Sequence, residues 1–324
     1  MAKKTYIGVN NVARQVKKVY IGVNGVARKV KKIYIGVANI ARQIFGGGEL
    51  SYYGTATPLA QARAELAATS VGNYALFGGG ERSSTVDAYN TSLTRTSPTA
   101  LSKARGGLAA TSVGNYALFG GGFHRRDGGI STVDAYNTSL TRTSPTALSE
   151  ARGYLAAVLV GNYALFGGGS SGEVEHSSTV DAYNTSLTRT SPTALSKARG
   201  DLAAALVGNY ALFGGGYNIS SEHSSTVDAY NTSLTRTSPT ALSKARSDLA
   251  AASVGNYALF GGGFPGPLST VDAYDTSFTR TSPTALSKVR GDLAATSVGN
   301  YALFGGGFHS GSEGNSTVDA YVVA

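Results

Sequence analysis

An aspartate and an arginine recur along this chain, and side by side they would make an acid–base pair. The aspartates are Asp87, Asp134, Asp181, Asp228, Asp272 and Asp319, and the arginines are Arg63, Arg105, Arg152, Arg199, Arg246 and Arg290. A catalytic site is singular, so six copies point instead to buried hydrogen bonding that ties repeated units together. The four histidines, His124, His176, His223 and His309, all lie in segments that differ between repeats, and His176 and His223 each follow a glutamate, Glu175 and Glu222. A metal centre needs its ligands to converge. Equivalent segments of neighbouring units should point outward side by side, so no metal site is expected. Gly78 to Gly80 is not a phosphate loop, because it lacks the Lys-Ser/Thr pair and a following helix. The chain has no cysteine, which removes disulfides, thiolate ligands and thiol nucleophiles. No catalytic residue and no cofactor are expected.

The elements that carry these residues are set by one nonapeptide. Gly-Asn-Tyr-Ala-Leu-Phe-Gly-Gly-Gly begins at Gly72 and returns unchanged five times, with its phenylalanine at 77, 119, 166, 213, 260 and 304. A fixed period of this size marks a repeat architecture. In the unit that starts at Arg105, strands are expected at Leu108 to Val113, Tyr116 to Phe119, Ser131 to Tyr136 and Leu140 to Ser144. Pro145 ends the pairing, since it has no N–H to donate. The segment Thr146 to Arg152 is expected to cross to the next unit as a connection, being too short for a stable helix. Four short strands repeated six times predict an all-β chain with a six-bladed β-propeller.

The order of these motifs resembles the kelch-repeat family over residues 50 to 324. The Gly-Gly after the second strand, the tyrosine ending the third (Tyr136 and its repeats) and the arginine before the next blade carry the likeness. The family's fourth strand usually holds a tryptophan; this chain has none, and Thr96 and its repeats stand there. The resemblance implies a kelch-like propeller packed through smaller residues. It also implies an alternative reading as a carbohydrate-active enzyme, since kelch-like folds include sugar oxidases and sialic-acid isomerising enzymes. Against that alternative, no singular cluster of catalytic residues stands out near the expected ring axis. The last unit stops just after its third strand, and Leu59, Ala62 and Arg63 align with Leu101, Ala104 and Arg105. Residues 50–58 are therefore expected to pair with the C-terminal strand and close the ring.

Residues 3 to 44 form a second, shorter repeat of three 14-residue copies, the middle one reading KKVYIGVNGVARKV. Asn24-Gly25 between two β-branched runs is a strong hairpin signal. The reading is a three-hairpin meander, residues 1–45, preceding a propeller at residues 46–324. Ile21, Val23 and Val26 would share one apolar face that a segment this small cannot leave bare. Lys-Lys-x-Tyr-Ile-Gly-Val-Asn-x-Val-Ala-Arg looks like the N-terminal repeats of structural proteins of phages and prophages of Gram-positive bacteria. That resemblance implies a virion location, with residues 3–44 as a homo-oligomer or tail-docking element, and leaves purely structural decoration of the particle as a further alternative to binding. No continuous apolar run follows Lys3 and Lys4, so no signal peptide is expected, and no run is long enough to span a bilayer.

The chain carries 28 basic and 19 acidic residues, a net charge of +9. Seven lysines and three arginines fall in residues 1–45, leaving 18 basic against 19 acidic residues for the rest. The propeller is near neutral, and the arm's lysines are read as guards of exposed strand edges; nucleic acid is not an expected partner. Variation is concentrated after the triple glycine, where the loops read ERS, FHRRDGGI, SSGEVEHS, YNISSEHS, FPGPL and FHSGSEGN. All six should emerge on one face, beside the crossings between blades. A rigid scaffold presenting varied loops suits binding. The expected ligand-binding residues are Phe123, His124, Arg125, Arg126, Glu173, Glu175, His176, Tyr217, Glu222, His223, Phe264, Phe308 and His309, reading a glycan or protein surface.

Overall fold

The computed structural model describes residues 56–323, apart from 125, 173–174 and 310–313, together with six strands within residues 6–45. The chain divides into two compact units, Met1–Thr55 and Ala56–Ala324. No helix occurs among the described residues.

The first unit contains three hairpins: Tyr6–Val9 with Val12–Gln15, Tyr20–Val23 with Val26–Lys29, and Ile33–Val37 with Ile40–Phe45. Val23 faces Val26 and Ile21 faces Arg28, the register that a two-residue Asn-Gly turn imposes. Each hairpin is its own two-stranded sheet, and no ladder joins them among the described residues. The three hairpins expected from sequence are thus present. The Lys-rich junctions between them lie outside the described residues.

The second unit is six repeated antiparallel sheets, the arrangement of a six-bladed β-propeller. Blade 2 shows the pattern: Ala109–Val113, Tyr116–Gly120, Val133–Asn137 and Arg142–Thr143 pair in that order. The first hairpin turns at Gly114, whose φ of +54° suits the first central position of a tight turn. The fourth strand is shorter than expected. Leu140 has a φ of +61° and closes a turn on the Asn137 carbonyl, while the Asn137 side chain accepts the N–H groups of Ser139 and Thr141. Only Arg142 and Thr143 remain to pair.

Both faces of an inner blade are buried, which is why Ala117, Leu118 and Phe119 run together without a polar break. Val113, Leu118, Val133 and Ala135 of blade 2 pack against Ala164, Phe166 and Tyr183 of blade 3. Phe166 meets Tyr183 edge to face at 5.9 Å. A pair of this kind recurs in each blade. The first glycine of the triple is required by this packing: a side-chain carbon at Gly120 would stand 2.8 Å from the Phe166 ring.

Five interfaces between successive blades are packed in this way. The seam between blade 6 and blade 1 is not. Val298 and Val318 of blade 6 are 52% and 60% exposed, whereas Val113 and Val133 of blade 2 are 1% exposed. Blade 6 has three strands, Ala294–Val298, Tyr301–Gly305 and Val318–Val322, among the described residues. Of the expected closing segment, residues 50–55 lie outside the described residues, and 56–58 belong to no strand.

Candidate functional site

The recurring Asp–Arg pairs are structural. Asp181 accepts from Arg152 Nη2 at 2.8 Å and from Arg189 Nη1 at 2.9 Å, and the Ser149 N–H points at the same carboxylate. Arg152 also donates to the Phe166 carbonyl at 3.1 Å, and both Arg152 and Asp181 are fully buried. Each pair thus fastens a crossing segment to the second and third strands of the blade it enters. The pairs position the residue two places after the arginine, and that residue builds the site.

Between each arginine and the next leucine lie two residues: Ala-Glu, Gly-Gly, Gly-Tyr, Gly-Asp, Ser-Asp and Gly-Asp. The second of these is Glu65, Gly107, Tyr154, Asp201, Asp248 and Asp292, and all six hold a positive φ between 50° and 57°. Their backbones form a chain around the axis. Gly107 donates to Glu65, Tyr154 to Gly107, Asp201 to Tyr154, Asp248 to Asp201 and Asp292 to Asp248, over 2.7–3.1 Å. The six positions line a central well of about 660 Å³, with Leu108, Leu155, Leu202, Leu249 and Leu293 as an apolar collar and Phe308 in the wall.

Four of the six axial positions carry carboxyls, and among the described residues no basic side chain lines the well. Burial pushes the Asp201 carboxyl up to about 8, with the charges of Asp248, Asp292 and Glu65 adding to the effect. Burial and the neighbouring Asp248 likewise raise Asp292. Near neutral pH the Asp201 carboxyl is therefore kept protonated, and can donate as well as accept a hydrogen bond on a ligand. The sequence-based expectation near the axis concerned catalytic residues and did not name this acidic cluster. The signal was present as a variable, acid-rich position inside an otherwise constant Arg-x-x-Leu frame.

The variable loops open on the same face. Residue one after each arginine bridges to the first loop residue: Gly106 to Phe123, Gly153 to Ser170, Gly200 to Tyr217, Ser247 to Phe264 and Gly291 to Phe308. Phe123 thereby comes within 6.2 Å of Tyr154, ring to ring. The loop after blade 2's triple glycine is itself a small hairpin, Phe123–His124 with Gly128–Gly129. Its His124 Nδ1 lies 3.0 Å from Asp127.

His176 and His223 are not simply side by side on the surface. Tyr217 stands between them, 4.7 Å from the His176 ring and 6.4 Å from the His223 ring. Burial lowers the His176 pKa, favouring a neutral ring. Tyr217 and His223 also border a 470 Å³ depression shared with Tyr154, Asp201 and Asp248. Among the described residues no three His, Asp or Glu side chains gather closely enough to hold a metal ion.

The remaining expected residues are spread outward. Phe264 is half-buried, and Arg126, Glu175 and Glu222 are exposed, with Glu222 accepting from Asn218 Nδ2 at 3.0 Å. His309 is exposed at 3.3 Å from the Val289 carbonyl, in a separate 420 Å³ pocket at the edge of blade 6. Arg125 and Glu173 lie outside the described residues. The face thus has two parts: an acidic axial well and an aromatic rim made by Phe123, Tyr217 and Phe308.

Neither a protein-family model nor a curated protein matches the sequence. Among solved structures, the chain is similar to the structure of YjhT, with a TM-score of 0.67 and 11% identity, over 82% of this chain and 96% of that one. The chain has a six-bladed β-propeller fold. At that identity the likeness speaks to the fold alone, and blade number, well and loop face are described from this chain's own residues.

Proposed function

We propose that the protein is a non-enzymatic binding module whose loop-and-axis face recognises a glycan or protein surface. The observation that carries this reading is a coincidence of variation. The loops after the triple glycine and the position two after each crossing arginine vary within nearly identical repeats, and both border one well. Clustered carboxyls, Asp201 among them held protonated by burial, and flanking aromatic rings suit a ligand rich in hydroxyls or carrying cationic groups. The kelch resemblance of the blades and the phage-like repeat of the arm support the specific version: a virion-associated protein of a phage or prophage, displayed through residues 3–44.

The test is a screen of glycans and bacterial cell surfaces with the parent chain and a chain whose six variable loops are replaced by Gly-Ser. Loss of binding on loop replacement is expected. Unchanged binding would refute the loop reading.

A second reading, a kelch-type carbohydrate-active enzyme, is favoured by one observation: Asp201 and Asp292 have raised pKa values beside Asp248 in the well, as proton-transfer groups often do. Turnover of free sugars that Asp201→Asn abolishes while binding persists would move the protein into that class.

A further inference from the structure

The 470 Å³ depression shares Tyr154, Asp201 and Asp248 with the axial well and adds Tyr217, Ser221 and His223. Both of its tyrosines are held in place by the protein itself. Tyr154 lies across Gly107, where a side-chain carbon would stand 2.9 Å from the ring, and Phe123 backs it at 6.2 Å. The axial position of blade 2 is thus glycine because the neighbouring ring takes the space. Tyr217 stands between the rings of His176 and His223. Tyr154 is nevertheless 37% exposed and Tyr217 half-buried, so each retains surface for a ligand.

Asp248 is fixed in a way the other axial acids are not. The residue after the crossing arginine is glycine in four blades and alanine in blade 1; only blade 5 has a serine, Ser247. Its buried hydroxyl donates to the Asp248 carboxyl, and Asp292 shares a hydrogen bond with the same group. Among the described residues no lysine or arginine lines the well or the depression. The crossing arginine of the same blade, Arg246, is committed to Asp272 at 2.8 Å. Carboxyls gathered away from water without a cation are costly, and the upward shift of Asp201 records that cost. Preformed aromatic walls beside unanswered carboxyls make a site that lacks a positive charge.

We infer that this depression is the subsite for a free amino group carried directly on a sugar ring, a hexosamine unit without an acyl cap. The inference rests on the glycan-binding reading above and names the class of sugar. The ammonium donates to Asp248, and Asp201 exchanges hydrogen bonds with a ring hydroxyl beside it. The C–H face of the sugar lies on a tyrosine ring, whose negative face also attracts the charge. A quaternary ammonium has no N–H to donate. A lysine holds its amine at the end of a flexible stem, and ordering that stem costs more than seating a rigid ring. An N-acyl group removes the charge and leaves the carboxyls unanswered.

Titration calorimetry of the full chain at physiological ionic strength tests this with three tetrasaccharides: glucosamine, the same sugar fully N-acetylated, and glucose in the same linkage. Tetralysine serves as the peptide amine. The glucosamine chain is expected to bind about tenfold or more tightly than the other two sugars, the worth of one charge-assisted hydrogen bond. Asp248→Asn, nearly isosteric, should lose about that factor. Asp275→Asn removes a carboxyl from a turn at the other end of blade 5, and should leave binding unchanged.

Equal binding of the three sugars would sink the amine; if that binding is lost when the six loops become Gly-Ser, glycan recognition by the face still stands. Tetralysine binding as tightly as the glucosamine chain would overturn the sugar assignment. Asp275→Asn weakening binding as much as Asp248→Asn would reduce the effect to unspecific charge attraction and overturn the proposal. No binding of the glucosamine chain would overturn it too, and leaves the cell-surface screen to judge the wider reading. If Asp248→Asn does not fold, the ranking of the four ligands on the parent chain decides alone.

Discussion

At the scale of single residues, the buried Asp–Arg network stabilises the blades by being complete. Asp181→Ala would leave Arg152, fully buried, without its carboxylate partner. Removing one partner of a buried pair costs about 3–5 kcal/mol, a loss that urea unfolding of the whole chain should register. The axial acids act in the opposite direction. Asp201 loses its proton near 3.8 when unfolded but near 8 in the fold. Between those values the folded state binds more protons than the unfolded one, so this group erodes stability as pH rises from about 4 to about 8. Asp201→Asn removes that titration. Its melting temperature should match the parent near pH 4 and exceed it increasingly toward pH 8; a constant offset across that range would contradict the assignment. The repeated Asp and Arg were readable as structural because copy number alone argues against catalysis. Glu65, Asp201, Asp248 and Asp292 were not, because only the circular arrangement of blades brings residues so far apart in sequence around one well.

At the scale of elements, strand count and order were legible from hydrophobic runs and glycine punctuation, but the extent of the fourth strand was not. A leucine in a threonine-rich run reads as strand by propensity, yet Leu140 and its repeats adopt a positive φ because the asparagine or aspartate three residues before organises a turn. Asn184 shows the mechanism: its side chain accepts from Ser186 at 3.0 Å and from Thr188 at 2.9 Å. Asn184→Ala should cost about 1 kcal/mol for the lost bonds. Asn184→Asp should be neutral, because Asp275 makes the same two contacts in blade 5. Comparing the two variants by chemical denaturation separates the turn's hydrogen bonding from any effect of charge. The loop hairpin at Phe123–His124 escaped the sequence reading for a related reason. Its partner strand, Gly128–Gly129, contains no β-forming side chain, and what holds it is backbone bridging to Gly106 and the neighbouring loop.

At the scale of the whole molecule, the two units present different problems of stability. The propeller buries its apolar side chains between blades, and five of its interfaces are already packed. Among the described residues the arm consists of separate two-stranded hairpins, and a hairpin alone in water is marginal at best. The pairing of Val23 with Val26 fixes the register of the middle hairpin. Three such hairpins in about 45 residues have too little core of their own, so association of the arm with other copies is the expected outcome under the display function proposed above. Light scattering on the full chain and on a chain beginning at Glu49 tests this directly. The full chain should have a mass of several times 33.1 kDa, and the shortened chain should be a monomer that unfolds cooperatively on its own. Monomeric mass for both would remove the arm as an oligomerisation element. An equally large assembly in both would place the association on the propeller instead, with the bare faces of blades 1 and 6 as the first surfaces to mutate.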